Sequence, residues 1–72
     1  MSDADYLIEC LSKDLVLLLM KDFNMDMKVA LHTLYTSETY AKLQNTKTGL
    51  YIQSTLYVYD FLKNEIKRGK ME

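Results

Sequence analysis

The sequence predicts an all-α fold, a small bundle of three to four helices with one short extended crossing segment. The strongest indication is an unbroken apolar run at residues 15–20, which charged residues bracket on both sides. Consecutive residues of an α-helix turn about 100° around its axis, so six apolar residues in a row leave no polar side. Such a helix needs cover on every side, from the rest of the chain or from another subunit.

Two further features of the sequence indicate helices. Apolar residues recur at spacings of three and four, which is typical of the buried stripe of a helix. In the first third of the chain they are Leu7, Leu11, Leu15, Leu18 and Leu19. The only β-like stretch, residues 50–53, is too short for a sheet and has no evident partner strand. We therefore expect it to cross the helices as an isolated extended segment.

The first helix is predicted to run from about residue 4 to residue 23 and to be the longest element. Ser2 is a candidate N-cap, and the acidic residues Asp3 and Asp5 suit the positive end of the helix dipole. Ser12 offers an alternative start that would split this helix in two. Four more residues widen its apolar surface: Ile8, Cys10, Val16 and Leu17.

Small polar residues predict the next two helices. Asn24 can end the first helix in the left-handed conformation, and Asp26 is placed to cap a second helix from residue 27 to about residue 35. Thr36 and Ser37 then start a short third helix, unless the second and third are one bent helix. The inward side of the second helix is predicted to be Met27, Ala30, Leu31 and Leu34.

The clearest break lies at residues 45–49, which are rich in turn formers. After the crossing segment, Ser54 is expected to cap the last helix. Gly69 is expected to end that helix, and residues 70–72 are expected to be frayed. The buried stripe of the last helix is predicted to be Val58, Phe61 or Leu62, and Ile66.

Composition predicts one globular domain spanning residues 1–72. With 49% hydrophobic and 26% charged residues, the chain is too apolar to be disordered, and 72 residues are too few for two cores. Residues 1–26 carry six acidic and two basic residues, a net charge of −4, whereas residues 27–72 carry four acidic and seven basic residues, a net charge of +3. The two halves can attract each other within a fold or between subunits.

The sequence favours an intracellular, cytoplasmic protein. Cys10 is the only cysteine, so no internal disulfide can form, whereas small secreted proteins usually need several. No basic segment precedes the apolar run and no small-residue cleavage site follows it, which argues against a signal peptide. The run is also far shorter than the roughly 20 residues that a membrane span needs.

No residue pattern predicts catalysis, a cofactor or a metal site. Cys10 and His32 are the only thiol and imidazole, but we expect Cys10 to be buried and unreactive within its apolar helical pattern. Acidic pairs such as Asp22 and Asp26 fit helix ends better than general acids or a calcium loop. We therefore predict a non-enzymatic protein with no cofactor and no evident small-molecule substrate.

Two groups of residues are candidates for binding a protein. Val16, Leu17 and Met20 are predicted to point away from the buried stripe of the first helix, so we expect a homodimer or another protein to cover them. Tyr57 and Tyr59 cannot both face the core, so at least one is expected to project. The candidate partner-binding residues are Val16, Leu17, Met20, Tyr51, Tyr57 and Tyr59.

DNA binding by a small transcriptional regulator is the alternative function. The tight turn expected at residues 36–37 would join the second and third helices as in a helix-turn-helix. The third helix would then read the DNA, yet its start offers a polyanion one base, Lys42, and one acid, Glu38. Nucleic acid is therefore the less favoured partner.

Four segments of the sequence together resemble a group of short bacterial proteins. They are residues 14–20 (DLVLLLM), 30–43 (ALHTLYTSETYAKL), 48–54 (TGLYIQS) and 57–62 (YVYDFL). The proteins of this group are all-helical domains of unknown function, and related small domains are often encoded beside an ADP-ribosyltransferase-like protein. The resemblance covers about residues 6–66 and implies a helical adaptor with an antitoxin-like or accessory role. It carries over no catalytic residues.

Overall fold

The computed structural model describes residues 3–69, which form four α-helices and two 3₁₀ turns. The helices are α1 (Asp3–Asp22), α2 (Met27–Tyr35), α3 (Glu38–Gln44) and α4 (Thr55–Gly69); the first 3₁₀ turn is Thr46–Thr48 and the second is Leu50–Ile52. No strand occurs in residues 3–69, and the predicted all-α fold is confirmed. The predicted Ser2 cap and the predicted fraying of residues 70–72 lie outside the described residues.

α1 is the helix against which the others pack. It is continuous over 20 residues because Ser12 does not interrupt it: the Ser12 hydroxyl donates a hydrogen bond to the Ile8 carbonyl one turn earlier, at 2.7 Å. Leu15 and Leu19 are fully buried, and α2, α4 and the second 3₁₀ turn all contact α1. Most of the apolar run is therefore covered within one chain.

Small polar residues set the helix boundaries as predicted. Asn24 follows α1 with a φ of 55°, in the left-handed region. The Asp26 carboxylate accepts a hydrogen bond from the Val29 N–H at 2.9 Å and caps α2. The Ser37 hydroxyl accepts one from the Tyr40 N–H at 3.0 Å and caps α3. Because Ser37 starts a separate helix, α2 and α3 are not one bent helix.

The predicted extended crossing segment is wrong, because residues 50–52 form a 3₁₀ turn. In this turn the Gln53 N–H donates to the Leu50 carbonyl at 3.1 Å. Gly49 precedes the turn with a φ of 71°, a left-handed conformation that favours glycine. Leu50 is buried, and the local hydrogen bonds satisfy backbone groups that an isolated extended segment would leave to water.

α4 begins after Ser54, as predicted. The Ser54 hydroxyl accepts a hydrogen bond from the Tyr57 N–H at 3.2 Å. Val58 and Leu62 are fully buried, whereas Phe61 is 47% exposed. Of the two alternatives left open by the sequence, Leu62 belongs to the buried stripe and Phe61 does not.

Four predictions about which side chains face the core are wrong. Leu7 was expected in the buried stripe of α1 but is 37% exposed, because it lies at the edge of that stripe. Val16 is 6% exposed, so it belongs to the core and does not point away from it. Met27 is 55% exposed and does not face inward, although Ala30 on the same helix is fully buried. Cys10 is exposed because it follows the buried Ile8 by two residues, which turns it about 200° around the helix to the opposite side.

A hydrogen bond between side chains joins α4 to the C-terminal end of α1. Tyr59 is 4% exposed, and its hydroxyl donates to the Asp22 carboxylate at 2.8 Å. Burial and the neighbouring Asp22 carboxylate raise the pKa of Tyr59 well above its ordinary value, since both disfavour the phenolate. Tyr57, two residues earlier, is exposed, which confirms that one of these two tyrosines projects.

Glu65 of α4 closes the N-terminal end of α3. One carboxylate oxygen accepts a hydrogen bond from the Glu38 N–H at 2.8 Å. The other accepts from the N–H and the hydroxyl of Thr39, at 3.1 and 2.8 Å. A carboxylate is favourable at this end of a helix, so these bonds fix the position of α3 against α4.

Asp26→Ala is expected to lower the free energy of unfolding by about 1 kcal/mol, because the Val29 N–H loses its acceptor. The measurement is the urea concentration at the midpoint of unfolding, compared between wild type and variant when both have the same dependence of stability on urea. Asp26→Asn is the matched control, since its amide oxygen can still accept the hydrogen bond. A midpoint that does not move in Asp26→Ala would contradict this cap.

Tyr59→Phe is expected to lower the free energy of unfolding by about 1.5 kcal/mol at neutral pH, because it removes the bond to Asp22 and keeps the ring. The pKa of Tyr59 is raised on folding, so its stabilisation is complete below the unfolded-state pKa of about 10 and is lost as pH rises through the folded-state value. Urea unfolding of both proteins at neutral pH and at about pH 11 measures this loss. An equal stability gap at both pH values would contradict the role given to this hydroxyl.

Candidate protein interface

The six predicted partner-binding residues do not form one surface. Leu17 is 59% exposed on α1, and Tyr57 is exposed on α4. The other four are partly or fully buried within the chain: Met20, Tyr51, Val16 and Tyr59. The structure therefore divides the candidates between a surface around Leu17 and another around Tyr57.

Leu17 borders a concave surface between α1 and α2, which we name the α1–α2 groove. Its volume is about 360 Å³, and its lining residues are Glu9, Ser12, Lys13, Val16 and Leu17 from α1 and Met27, Leu31 and Tyr35 from α2. Apolar side chains form its floor and its α2 wall, whereas Glu9 and Lys13 supply charge on the α1 side. The groove is the one candidate surface that brings exposed apolar residues of two helices together.

The α2 wall of the groove follows the helical repeat. Met27, Leu31 and Tyr35 are spaced by four residues, so they lie above one another on one side of α2. Met27 and Tyr35 are exposed and Leu31 is partly buried. Eight residues of helix rise about 12 Å, or two turns. A wall of this length matches the apolar side of a short amphipathic helix.

The exposed surface continues from the groove across the outer side of α1. Cys10 and Leu17 are seven residues apart, so they lie on the same side of the helix two turns from each other. Tyr6 is exposed on this side as well. A hydrogen bond with Cys10 is the main cause that raises the pKa of the Tyr6 hydroxyl. Tyr6, Cys10 and Leu17 therefore form an exposed row along this outer side.

The second surface, which we name the α4 ridge, lies on α4 and on the turn before it. It consists of Ile52 from the second 3₁₀ turn and Leu56, Tyr57 and Phe61 from α4, all of them exposed. The Tyr57 and Phe61 rings meet edge to face, with centroids 5.3 Å apart and an angle of 84°. These two rings therefore cover part of each other already.

Two other cavities are lined mainly by polar side chains. A cavity of about 620 Å³ between α3 and α4 is bordered by charged residues that include Lys42, Glu65 and Arg68. A cavity of about 250 Å³ adjoins the α1–α2 groove and contains Tyr40. Burial and the neighbouring Tyr35, whose ring lies 5.0 Å away, raise the pKa of Tyr40. Polar atoms make up a larger share of the lining in both cavities than in the groove.

The thiol and the imidazole, the two side chains considered for catalysis, do not line these cavities. Cys10 and His32 are both exposed and line none of the three. Within residues 3–69, no group of three or more His, Cys, Asp or Glu side chains is placed to hold a metal ion. No helix in this part of the chain is long and apolar enough to cross a membrane.

Met27 and Tyr35, which line the groove, were not among the residues that the sequence predicted for a partner. The available signal was the spacing of Met27, Leu31 and Tyr35, which gives α2 a second apolar stripe beside the buried Ala30 and Leu34. A helix with two apolar stripes has more apolar surface than one small core can bury.

Comparisons with known proteins give no family for this chain. No protein-family model, curated protein or solved structure matches it. The resemblance of residues 6–66 to short bacterial helical domains therefore stays a prediction.

Proposed function

We propose that this chain is a non-enzymatic protein-interaction module that binds a helical surface of a protein in the α1–α2 groove. The observation that carries the proposal is the groove itself, where Leu17, Met27 and Tyr35 are exposed around a concave apolar strip. Clustered exposed apolar side chains on a small protein typically mark a protein contact. Tyrosine and methionine are also among the residues enriched at such contacts.

Burial of these side chains gives the groove a source of binding energy. Fully burying a side chain of this size contributes roughly 1.5 to 3 kcal/mol relative to leaving it in water. Leu17 and Met27 are each more than half exposed, so a partner recovers about 1 kcal/mol or more from each. A few such anchors at the centre of a contact account for most of the affinity in typical interfaces.

A role without catalysis is compatible with the resemblance to short bacterial helical domains. An antitoxin-like or accessory protein acts by binding another protein. Such binding requires a contact surface and does not depend on catalytic residues. The single exposed thiol of Cys10 is suited to a reducing compartment such as the cytoplasm, where an unpaired cysteine persists. We therefore propose a cytoplasmic accessory protein.

The geometry of α3 argues against DNA binding by this helix and so favours protein binding in the groove. α3 has only seven residues, and Glu65 accepts hydrogen bonds from the backbone of Glu38 and Thr39 at its N-terminal end. This negative charge lies at the end of the helix that would approach phosphates in a helix-turn-helix complex. Lys42 is the only basic residue that α3 contributes to binding a polyanion.

A photoreactive phenylalanine analogue in place of Leu17 is expected to form a covalent adduct with a protein when cells that produce the chain are irradiated. The reason is that Leu17 borders the groove and lies within reach of whatever helix fills it. The readout is a band of higher mass on a denaturing gel. The same analogue at Val29, which is exposed on α2 outside the groove, is the matched control.

Equal labelling at both positions, or no adduct at Leu17, would contradict the proposed function. Introducing Met27→Glu together with the analogue should reduce the adduct, because it places a charge in the apolar wall. Retention of the purified chain on duplex DNA at about 0.15 M salt would instead favour the alternative function.

A further inference from the structure

We propose that the occupant of the α1–α2 groove is a second copy of this chain, bound so that the two α1 helices run antiparallel about a two-fold axis. In this arrangement Leu17 of each copy faces Tyr6 of the other. The inference rests on the proposed function and names the partner for the same surface. Three observations carry it: the distribution of charge along α1, the orientation of the two α1 carboxylates that bond α4, and the position of the groove.

Charge along the outer side of α1 changes sign from one end to the other. The first half carries the acidic residues Asp3 and Glu9, which are exposed. The second half carries Lys13 and Lys21, which are exposed. Two parallel copies would therefore place like charges together, whereas two antiparallel copies place the acidic half of each against the basic half of the other.

The acidic residues in the second half do not cancel this pattern on the outer side, because hydrogen bonds direct them toward α4. The Asp14 carboxylate accepts from the Thr55 hydroxyl at 3.2 Å. The Asp22 carboxylate accepts from the Tyr59 hydroxyl at 2.8 Å. Asp14 and Asp22 keep their charge, but Lys13 and Lys21 are the charged residues of the second half that lie nearest to Leu17 around the helix.

One antiparallel alignment satisfies both the apolar and the charged residues. With the two-fold axis passing beside residues 11 and 12, Leu17 faces Tyr6 of the other copy, since both are exposed on the outer side of α1. Lys13 then approaches Glu9 of the other copy, on the side of the groove. Lys21 approaches Asp3 on the other side of the seam. Leu17 and Tyr6 thus form an apolar centre with an ion pair on each side.

The groove has the symmetry that this arrangement needs. A two-fold axis perpendicular to α1 keeps both α2 helices on the same side of the paired α1 helices, so the two grooves meet and close into one apolar strip between the copies. α2 runs back along α1 after a four-residue connection, which puts Met27 near one end of the groove and Tyr35 near the other. The Met27 end of one copy therefore meets the Tyr35 end of the other, a favourable sulfur and aromatic contact.

Sedimentation equilibrium tests the dimer. At about 50 µM, the wild-type chain should have twice its 8.5 kDa mass. Leu17→Glu should be a folded monomer by circular dichroism, with association weakened on the order of 100-fold or more because both copies lose the apolar contact. Val29→Glu, a charge at an exposed residue outside the groove, is the matched control and should stay dimeric. A wild-type mass of 8.5 kDa at this concentration would overturn the inference.

Engineered cysteines test the antiparallel alignment. In a Cys10→Ser background, a mixture of the single variants Tyr6→Cys and Leu17→Cys should form a mixed disulfide dimer under mild oxidation. Neither variant should crosslink to itself, because equivalent residues would lie about 16 Å apart along the helix axis, beyond the roughly 7 Å limit for a disulfide. Efficient self-crosslinking of the Leu17→Cys variant would indicate parallel helices and overturn the proposal.

A charge exchange tests the pairing of Lys13 with Glu9 of the other copy. Lys13→Glu and Glu9→Lys should each weaken the dimer by about 10-fold, because two pairs per dimer become repulsive. The double variant should return to within about 3-fold of the wild-type dissociation constant. A double variant weaker than either single variant would contradict the pairing.

Two outcomes separate the proposed dimer from the proposed function. If the purified chain is monomeric but the photoreactive group at Leu17 captures another protein, the self-association inference falls and the proposed function stands. If the group at Leu17 captures nothing and the chain is monomeric, both fall.

Discussion

The rest of the structure depends on covering a helix that has an apolar segment with no polar side. Of the five other elements in residues 3–69, three make the main contacts with this helix. α2, α4 and the second 3₁₀ turn bury Leu15 and Leu19 completely and Val16 almost completely. Leu17 is the residue of the run that stays mostly exposed, at 59%, beside the α2 wall of the groove. The need to hide one helix therefore determines both the core and the uncovered surface.

Helix boundaries could be predicted from the sequence because they are set by chemistry within a single turn. A carboxylate or hydroxyl at residues 26, 37 and 54 accepts a backbone N–H three residues later, and this needs no information about the rest of the fold. The orientation of side chains was harder, since it depends on where neighbouring helices pack. Val16, Met27 and Cys10 were misassigned for this reason. Residues 50–52 were misassigned because alternation over so few residues also fits a 3₁₀ turn.

The groove was less predictable than the helices that form it. Leu17 could be identified from one helix, because an apolar run must place some residue away from the core. Met27 and Tyr35 could not be assigned to the surface from α2 alone, since the helix carries two apolar stripes and only packing decides which one is buried. The juxtaposition of Leu17 with Met27 also requires the hairpin of α1 and α2, a tertiary feature. One residue of the candidate groove, Leu17, could therefore be predicted from the sequence, whereas Met27 and Tyr35 could not.

Hydrogen bonds to three carboxylates position the helices and also determine where negative charge lies on the surface. Asp14 and Asp22 bond hydroxyl groups of α4, and Glu65 bonds the backbone of α3, so these carboxylates position helices. The outward side of α1 then has an acidic first half and a basic second half. In the proposed dimer, the helix that nucleates the core also forms the seam between subunits. If a second copy binds only the folded chain, as in this proposed dimer, association adds to the stability of a small domain by mass action, and folding and binding are coupled through α1.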